Sequence, residues 1–177
     1  MSWFANWFDS SYYHILYKNR DEKEAELFIE NLITKLQIKK GSKLIDIACG
    51  KGRHATYFNS LGLDVVGVDL SPNSIAAATK NENATLQFTV HDMREVYKKN
   101  NFDIATNLFT SFGYFEKEED EQKAINAMAT NLKSGGFLII DFMNVKKVIT
   151  NLVPKEKKTI DNIVFNITRK VENGHII

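Results

Sequence analysis

Three aspartates, Asp46, Asp69 and Asp92, each fall near the end of an apolar run: LIDIACGKGRHA (44–55), DVVGVD (64–69) and TLQFTVHD (85–92). Gly50 and Gly52 follow Asp46 closely, and a helical pattern then begins. Two close glycines after a buried strand let a ligand approach the backbone, although tight strand-to-helix turns use glycine for conformational reasons alone. The acids say more. A carboxylate ending the second strand can accept from both hydroxyls of a ribose. A carboxylate at the base of the glycine loop would repel a diphosphate seated at the following helix N-terminus, and it suits a cation there.

That charge argument separates two nucleoside cofactors. A nicotinamide dinucleotide brings a pyrophosphate to the loop, whereas S-adenosylmethionine brings an ammonium and a sulfonium and no phosphate. The acid at position 46 favours the second. Asp92 and Met93 follow the third apolar run, where a carboxylate can accept from an adenine amino group and a backbone N–H can reach the ring. Taken singly, Asp92 reads equally well as a helix cap. Three acids at successive strand ends point together to the crevice where open α/β sheets bind ligands.

Composition narrows the class. The 177 residues favour one domain with a real core, and 44% hydrophobic with 25% charged side chains is a globular balance. With 23 basic and 22 acidic side chains the net charge is +1, so no overall field draws the chain to nucleic acid or an anionic membrane. The single cysteine, Cys49, forms no internal disulfide, and the four scattered histidines give no metal-ligand spacing. No metal is expected. No run approaches the ~18 apolar residues of a membrane span, and the N-terminus lacks a basic leader region. A cytoplasmic location is expected.

Helix and strand patterns alternate from residue 21. In 21–37, Leu27, Phe28, Leu32 and Leu36 mark an apolar helix face. Strands are expected at KLIDIA, DVVGVD, TLQFTVH, FDIATNLF and FLIIDFM. Helices are expected over about 52–61, over 71–81 with Ser71 as cap and Pro72 at the first position, and around 117–132, ended by Ser134-Gly135-Gly136. This is an α/β chain: a Rossmann-like, doubly wound, mostly parallel sheet with helices on both faces. Lys155-Glu156-Lys157-Lys158 reads as a solvated face or linker, and 159–171 as one alternating segment. Asn173-Gly174 is a hairpin turn signal whose second arm, three residues, is too short to pair. The chain therefore reads as a fragment that lacks its final strands.

The stretch D46-I-A-C-G-K-G52-R-H resembles the first motif of the class I S-adenosylmethionine-dependent methyltransferases, and V-V-G-V-D69-L-S the second. D92-M-R with F102-D-I-A-T-N-L-F-T-S-F-G-Y-F115 is similar to small bacterial members. The resemblance covers roughly residues 20–150. It implies that Asp46, Ala48, Gly50 and Gly52 hold the methionine part of the cofactor with Cys49 backing onto it, Asp69 and Leu70 the ribose, and Asp92 and Met93 the adenine. Asn107 and Leu108 would face the methyl end, and Arg20 would pair with the cofactor carboxylate. Lys51 departs from the usual small residue and is expected to face solvent. The implied organisation is an aromatic N-terminal segment (1–20), the cofactor-binding core (21–150) and a truncated strand or hairpin insertion (151–177).

Cys49 is a turn residue backing the cofactor, not a nucleophile, and His54 reads as a packing or surface residue rather than a base. Asp141 fits a buried structural acid and a crevice-lining one equally. Trp3, Phe4, Trp7, Phe8, Tyr12, Tyr13 and Tyr17, with Phe109, Phe112, Tyr114 and Phe115 after the fourth strand, read either as ordinary helix packing or as a lid that excludes water. Tyr13 and His14 are the candidates should a general base be needed. The implied reaction is in-line methyl transfer to a small-molecule acceptor. The alternatives are a nicotinamide-dependent oxidoreductase, for which no Tyr-x-x-x-Lys pair is placed, and a non-catalytic cofactor-binding module.

Overall fold

The computed structural model describes residues 3–17, 22–172 and 175–177. They fall into two units, Met1–Asp9 with Asp21–Phe142, and Ser10–Arg20 with Met143–Ile177.

The larger unit is built on five parallel strands: β1 (Lys43–Ile47), β2 (Asp64–Asp69), β3 (Leu86–Val90), β4 (Phe102–Asn107) and β5 (Leu132–Ile140), in the order β3-β2-β1-β4-β5. The order reverses direction beside β1, which places the loops after β1 and β4 next to each other at the carboxyl ends of the strands. Burial on both faces explains why β1 and β4 read as near-continuous apolar runs rather than alternating ones. One face packs Leu44, Val65, Ile104 and Phe88 under α3 (Glu22–Leu36), α4 (Arg53–Ser60) and α5 (Pro72–Ala78). The other packs Ile45, Ile47, Val68 and Ala105 under α6 (Glu118–Asn131) through Ala124 and Met128. At the N-terminus, α1 (Trp3–Phe8) belongs to the same unit.

Several local expectations need correction. The buried stripe of α3 is Ala25 and Ile29, at 2% and 0% exposure, while Leu27 and Phe28 are 60% and 37% exposed. The buried face is displaced by about a position from the one the large apolar residues mark, onto Ala25 and Ile29 one turn apart. Ser134-Gly135-Gly136 lies inside β5 rather than between α6 and β5. Leu132 already pairs with Phe102, and a register shift before Phe137 accommodates the extra residues as a bulge, with Gly135 at φ +80°. Between β3 and β4, residues 91–101 form turns with no helix.

The smaller unit contains α2 (Ser11–Leu16), capped by the Ser10 hydroxyl on the Tyr13 N–H, and α7 (Val145–Thr150). Two antiparallel hairpins follow, β6 (Lys155–Ile160) with β7 (Ile163–Thr168), and β8 (Val171–Glu172) with β9 (His175–Ile176). The segment 159–171 is thus not one strand. It folds back at Asp161-Asn162, both left-handed at φ 49° and 64°, the backbone of a two-residue hairpin turn. Lys155–Lys158 is a strand rather than a linker, with Lys155, Lys157 and Lys158 exposed as a solvated face, and Glu156 pairs with Arg169 at 2.9 Å. The three-residue arm does pair: Val171 faces Ile176, and Lys170 and Ile177 exchange two backbone bonds of 2.8 Å. Asn173 and Gly174 lie outside the described residues. Among the described residues no helix is long and apolar enough to cross a membrane.

Candidate functional site

The glycine loop leaves β1 in an alternating backbone. Ala48, Gly50 and Gly52 are all left-handed, at φ 59°, 56° and 80°. The loop is pinned to β2, with the Cys49 N–H on the Val68 carbonyl at 3.0 Å and the Gly50 N–H on Asp69 Oδ2 at 2.8 Å. The two glycines differ in what surrounds them. A Cβ on Gly50 would meet nothing within 4 Å, so this backbone opens onto free space. A Cβ on Gly52 would lie 2.5 Å from the Phe88 ring. Lys51 between them is exposed, as expected.

Asp46 sits on β1 opposite Thr106 of β4, 1% exposed. Its Oδ1 accepts the Thr106 hydroxyl at 2.8 Å, while its Oδ2 is buried with no hydrogen-bond partner. Burial pushes its pKa from 3.8 to about 7, the Thr106 hydroxyl and, more weakly, the Ala55 backbone N–H work against that, and the Asp69 carboxylate adds to it. Asp69 ends β2 and accepts the Gly50 and Ser71 N–H groups, each at 2.8 Å. Burial raises its pKa, those bonds counter it, and the Asp9 carboxylate pushes it further up. Neither acid has a basic partner among the described residues. Two buried carboxyl groups that disfavour each other's ionisation gain from a cationic group, which lets both ionise, and offer nothing to a diphosphate.

The sign of the pH effect follows. Asp46 in the folded chain keeps its proton up to about pH 7, whereas the unfolded chain releases it near the ordinary 3.8. Over that interval the unfolded state binds fewer protons. Stability therefore falls as pH rises from about 4 to about 7 and is level above, with a total on the order of 4 kcal/mol. Asp46→Asn keeps an acceptor for Thr106 and removes the titration. In urea unfolding at matched pH the variant is expected to equal the parent near pH 4 and exceed it by ~2–4 kcal/mol near pH 8. A difference that does not change between the two pH values would remove the buried-carboxylate account.

Asp92 and Met93 follow β3 as expected, but Asp92 does not cap a helix. Its carboxylate takes the Arg94 N–H at 2.9 Å and the guanidinium through Nε (3.0 and 3.1 Å) and Nη2 (2.5 Å). Burial raises the Asp92 pKa, yet the Arg94 bonds outweigh it and hold the carboxyl below its ordinary range. Arg94 continues to Asp120 at 3.2 Å and lies 5.2 Å from the Phe115 ring centre, tying this loop to α6. Arg94 was missed in the sequence. An arginine two residues after an acid is the signal that could have shown it.

Asn107 and Leu108 are buried at the end of β4. Asn107 donates to the Ile47 carbonyl at 3.0 Å, and its Oδ1 is buried without a partner. The next two residues, Phe109 and Thr110, are both left-handed at φ 61° and 56°, a conformation that costs bulky and β-branched side chains on the order of 1 kcal/mol each. Cys49 is buried against Gly67 and Phe88, and burial raises its thiol pKa well above the ordinary value, which keeps it protonated and unreactive. His54 is buried and packs on the Phe109 ring, centroids 4.9 Å apart. Leu70 is 40% exposed beyond Asp69. Arg20 lies outside the described residues. Tyr13 and His14 belong to the smaller unit, their rings edge to face at 5.5 Å.

The aromatic segments meet in the larger unit. Tyr114 packs edge to face against Trp3 at 5.9 Å and Phe8 at 5.1 Å, and Phe115 against Phe4 at 5.5 Å. Asp9, just past α1, accepts from the Ser71 hydroxyl and from the Asn73 side-chain amide at 2.9 Å. The N-terminal segment therefore touches both the loop after β4 and the loop after β2. Asp9 was not singled out in the sequence, because its partners are 62 and 64 residues away.

Comparison with known proteins agrees with this geometry. Residues 44–136 match the family model described as a methyltransferase domain. The chain is 31% identical over 103 residues to the Streptomyces venezuelae dTDP-3-amino-3,4,6-trideoxy-alpha-D-glucopyranose N,N-dimethyltransferase, covering 58% of this chain and 43% of that protein. It is 32% identical to a glycine/sarcosine N-methyltransferase of Parasynechococcus marenigrum, covering 73% and 46%. The chain spans about half the length of the curated relatives it matches. In fold it is similar to the crystal structure of an S-adenosylmethionine-dependent methyltransferase from Clostridium acetobutylicum, with TM-score 0.74, 21% identity, and coverage of 96% of this chain and 69% of that one. With the parallel sheet, the glycine loop and the family match in agreement, this chain belongs to the class I S-adenosylmethionine-dependent methyltransferases.

Proposed function

We propose that the protein transfers the methyl group of S-adenosylmethionine to a small-molecule acceptor. One observation carries the choice of cofactor: the buried, unpaired oxygen of Asp46, with Asp69 repelling it from the next strand. A bound cation relieves both. In this reading Asp46, Ala48, Cys49, Gly50 and Gly52 cradle the methionine part, with Arg20 on its carboxylate. The outer lone pairs of Asp69 take the ribose hydroxyls and Leu70 covers the sugar. Met93 offers its backbone to the adenine, and Asp92, fixed by Arg94, borders it. Asn107 and Leu108 border the methyl end.

Bound there, S-adenosylmethionine supplies a methyl group made electrophilic by its sulfonium. The protein's part is alignment and the exclusion of water. The left-handed glycine loop brings bare backbone against the ligand. The packing of α1 on Tyr114 and Phe115 closes the side next to the loop after β4 with aromatic rings. A general base is needed only when the acceptor is protonated or poorly nucleophilic at neutral pH. The small-molecule assignment draws support from relatives whose names specify an amino sugar and glycine or sarcosine, and from the balanced charge of the chain.

The test is incorporation of label from methyl-labelled S-adenosylmethionine into a panel of small amines, amino sugars and phenols. Transfer to at least one class, abolished by Asp69→Ala, is expected. Transfer to none by a chain that binds the cofactor would favour a non-catalytic binding module instead.

A further inference from the structure

We infer that Asp141 is a positioning residue for the methyl-transfer end: it holds Phe109 and Thr110 in their left-handed turn and so seats the Phe109 ring against the first turn of α4. The inference rests on the function proposed above.

Three bonds join this one residue to the end of β4. The Asp141 N–H donates to the Asn107 carbonyl at 3.0 Å, the Thr110 N–H donates to the Asp141 carbonyl at 3.1 Å, and the Phe109 N–H donates to the Asp141 carboxylate at 3.1 Å. Neither Phe109 nor Thr110 is a residue that adopts positive φ unaided, so the turn depends on what surrounds it. Its product is the place of one ring. Phe109 lies 4.9 Å from His54, tilted by 33°, with the Arg53 guanidinium 4.6 Å from its centre. Arg53 and His54 follow Gly52 directly and open α4. The Asp141 carboxylate thus acts through Phe109 on the glycine loop while touching neither Asp46 nor Gly50 itself.

Only one of the three bonds uses the side chain, which makes the inference separable from folding. Asp141→Ala leaves both backbone bonds and frees the Phe109 N–H, so the turn relaxes and the ring leaves His54. Asp141→Asn keeps an acceptor oxygen and loses only the charge. Binding of S-adenosylhomocysteine by titration calorimetry is expected to weaken about tenfold in Asp141→Ala and to stay within about threefold of the parent in Asp141→Asn. Proton NMR of the ligand-free chain supplies a second readout. The His54 ring protons, shifted upfield by the Phe109 ring, move downfield in Asp141→Ala and remain in place in Asp141→Asn. If Asp141→Asn loses affinity together with Asp141→Ala, the carboxylate acts by its charge and the inference fails. Unchanged His54 resonances and unchanged affinity in Asp141→Ala overturn it as well. A parent chain that fails to bind S-adenosylhomocysteine overturns the proposed function and the role at the methyl end. Even then, the His54 resonances report separately whether Asp141 holds the turn.

Discussion

Asp69→Ala is expected to weaken the binding of S-adenosylhomocysteine by about 100-fold. Two ribose hydroxyls donating to an ionised carboxylate are each worth about 1.5–3 kcal/mol net, and a loss of ~3 kcal/mol, the low end for the pair, corresponds to that factor. A second contribution comes from within the chain. The Gly50 and Ser71 N–H groups both rest on this carboxylate, so its removal also slackens the glycine loop. Calorimetric titration at fixed pH measures the effect. An affinity equal to the parent's would remove the ribose assignment.

The two loop glycines are expected to separate stability from binding. In Gly52→Ala the new methyl group meets the Phe88 ring at 2.5 Å. That ring is buried and also packs close on the Gly67 backbone, where a Cβ would meet it at 2.5 Å, so little room is left for it to yield. Added to the strain of φ +80°, overpacking is expected to destabilise the chain by ~3 kcal/mol, a fall of roughly 10 °C in unfolding temperature. Phe88→Leu in the same chain should recover part of it. Gly50→Ala places its methyl group in open space and carries only the conformational cost, ~1 kcal/mol. Its effect is expected on the ligand, with affinity for S-adenosylhomocysteine reduced by more than about tenfold, since the methyl group occupies the approach to the backbone. Thermal unfolding and titration of both variants give the comparison. Equal loss of stability in the two would contradict the distinction.

What could be read from the residues alone depended on whether the signal was local. The glycine loop, the acid ending β2 and the Ser71-Pro72 helix start are each written within a few residues, and the alternation of strand and helix patterns then implies a parallel sheet. Features set by register were not legible. Thr106 reaches Asp46 only because β4 lies beside β1, and Asp141 reaches Phe109 only because β5 lies beside β4. The buried face of α3 was misjudged because Leu27 and Phe28 outweigh Ala25 in any count of apolar residues, although it is the small residue that is buried. The Asp161-Asn162 turn is marked in the sequence only by a break in phase: Ile160 is out of step with the alternating Ile163, Phe165 and Ile167, and it faces Ile163 across the turn.

The central claim is that Asp46 and Asp69 make the glycine loop a site for an adenosyl amino acid, which brings an ammonium group and no phosphate. Thermal unfolding with saturating S-adenosylhomocysteine, set against the same excess of NADH, tests it most directly. A ligand at about 100 times its dissociation constant adds ~2.7 kcal/mol, which raises the unfolding temperature by several degrees. The account predicts that rise with S-adenosylhomocysteine and none with NADH. The reverse pattern would contradict it.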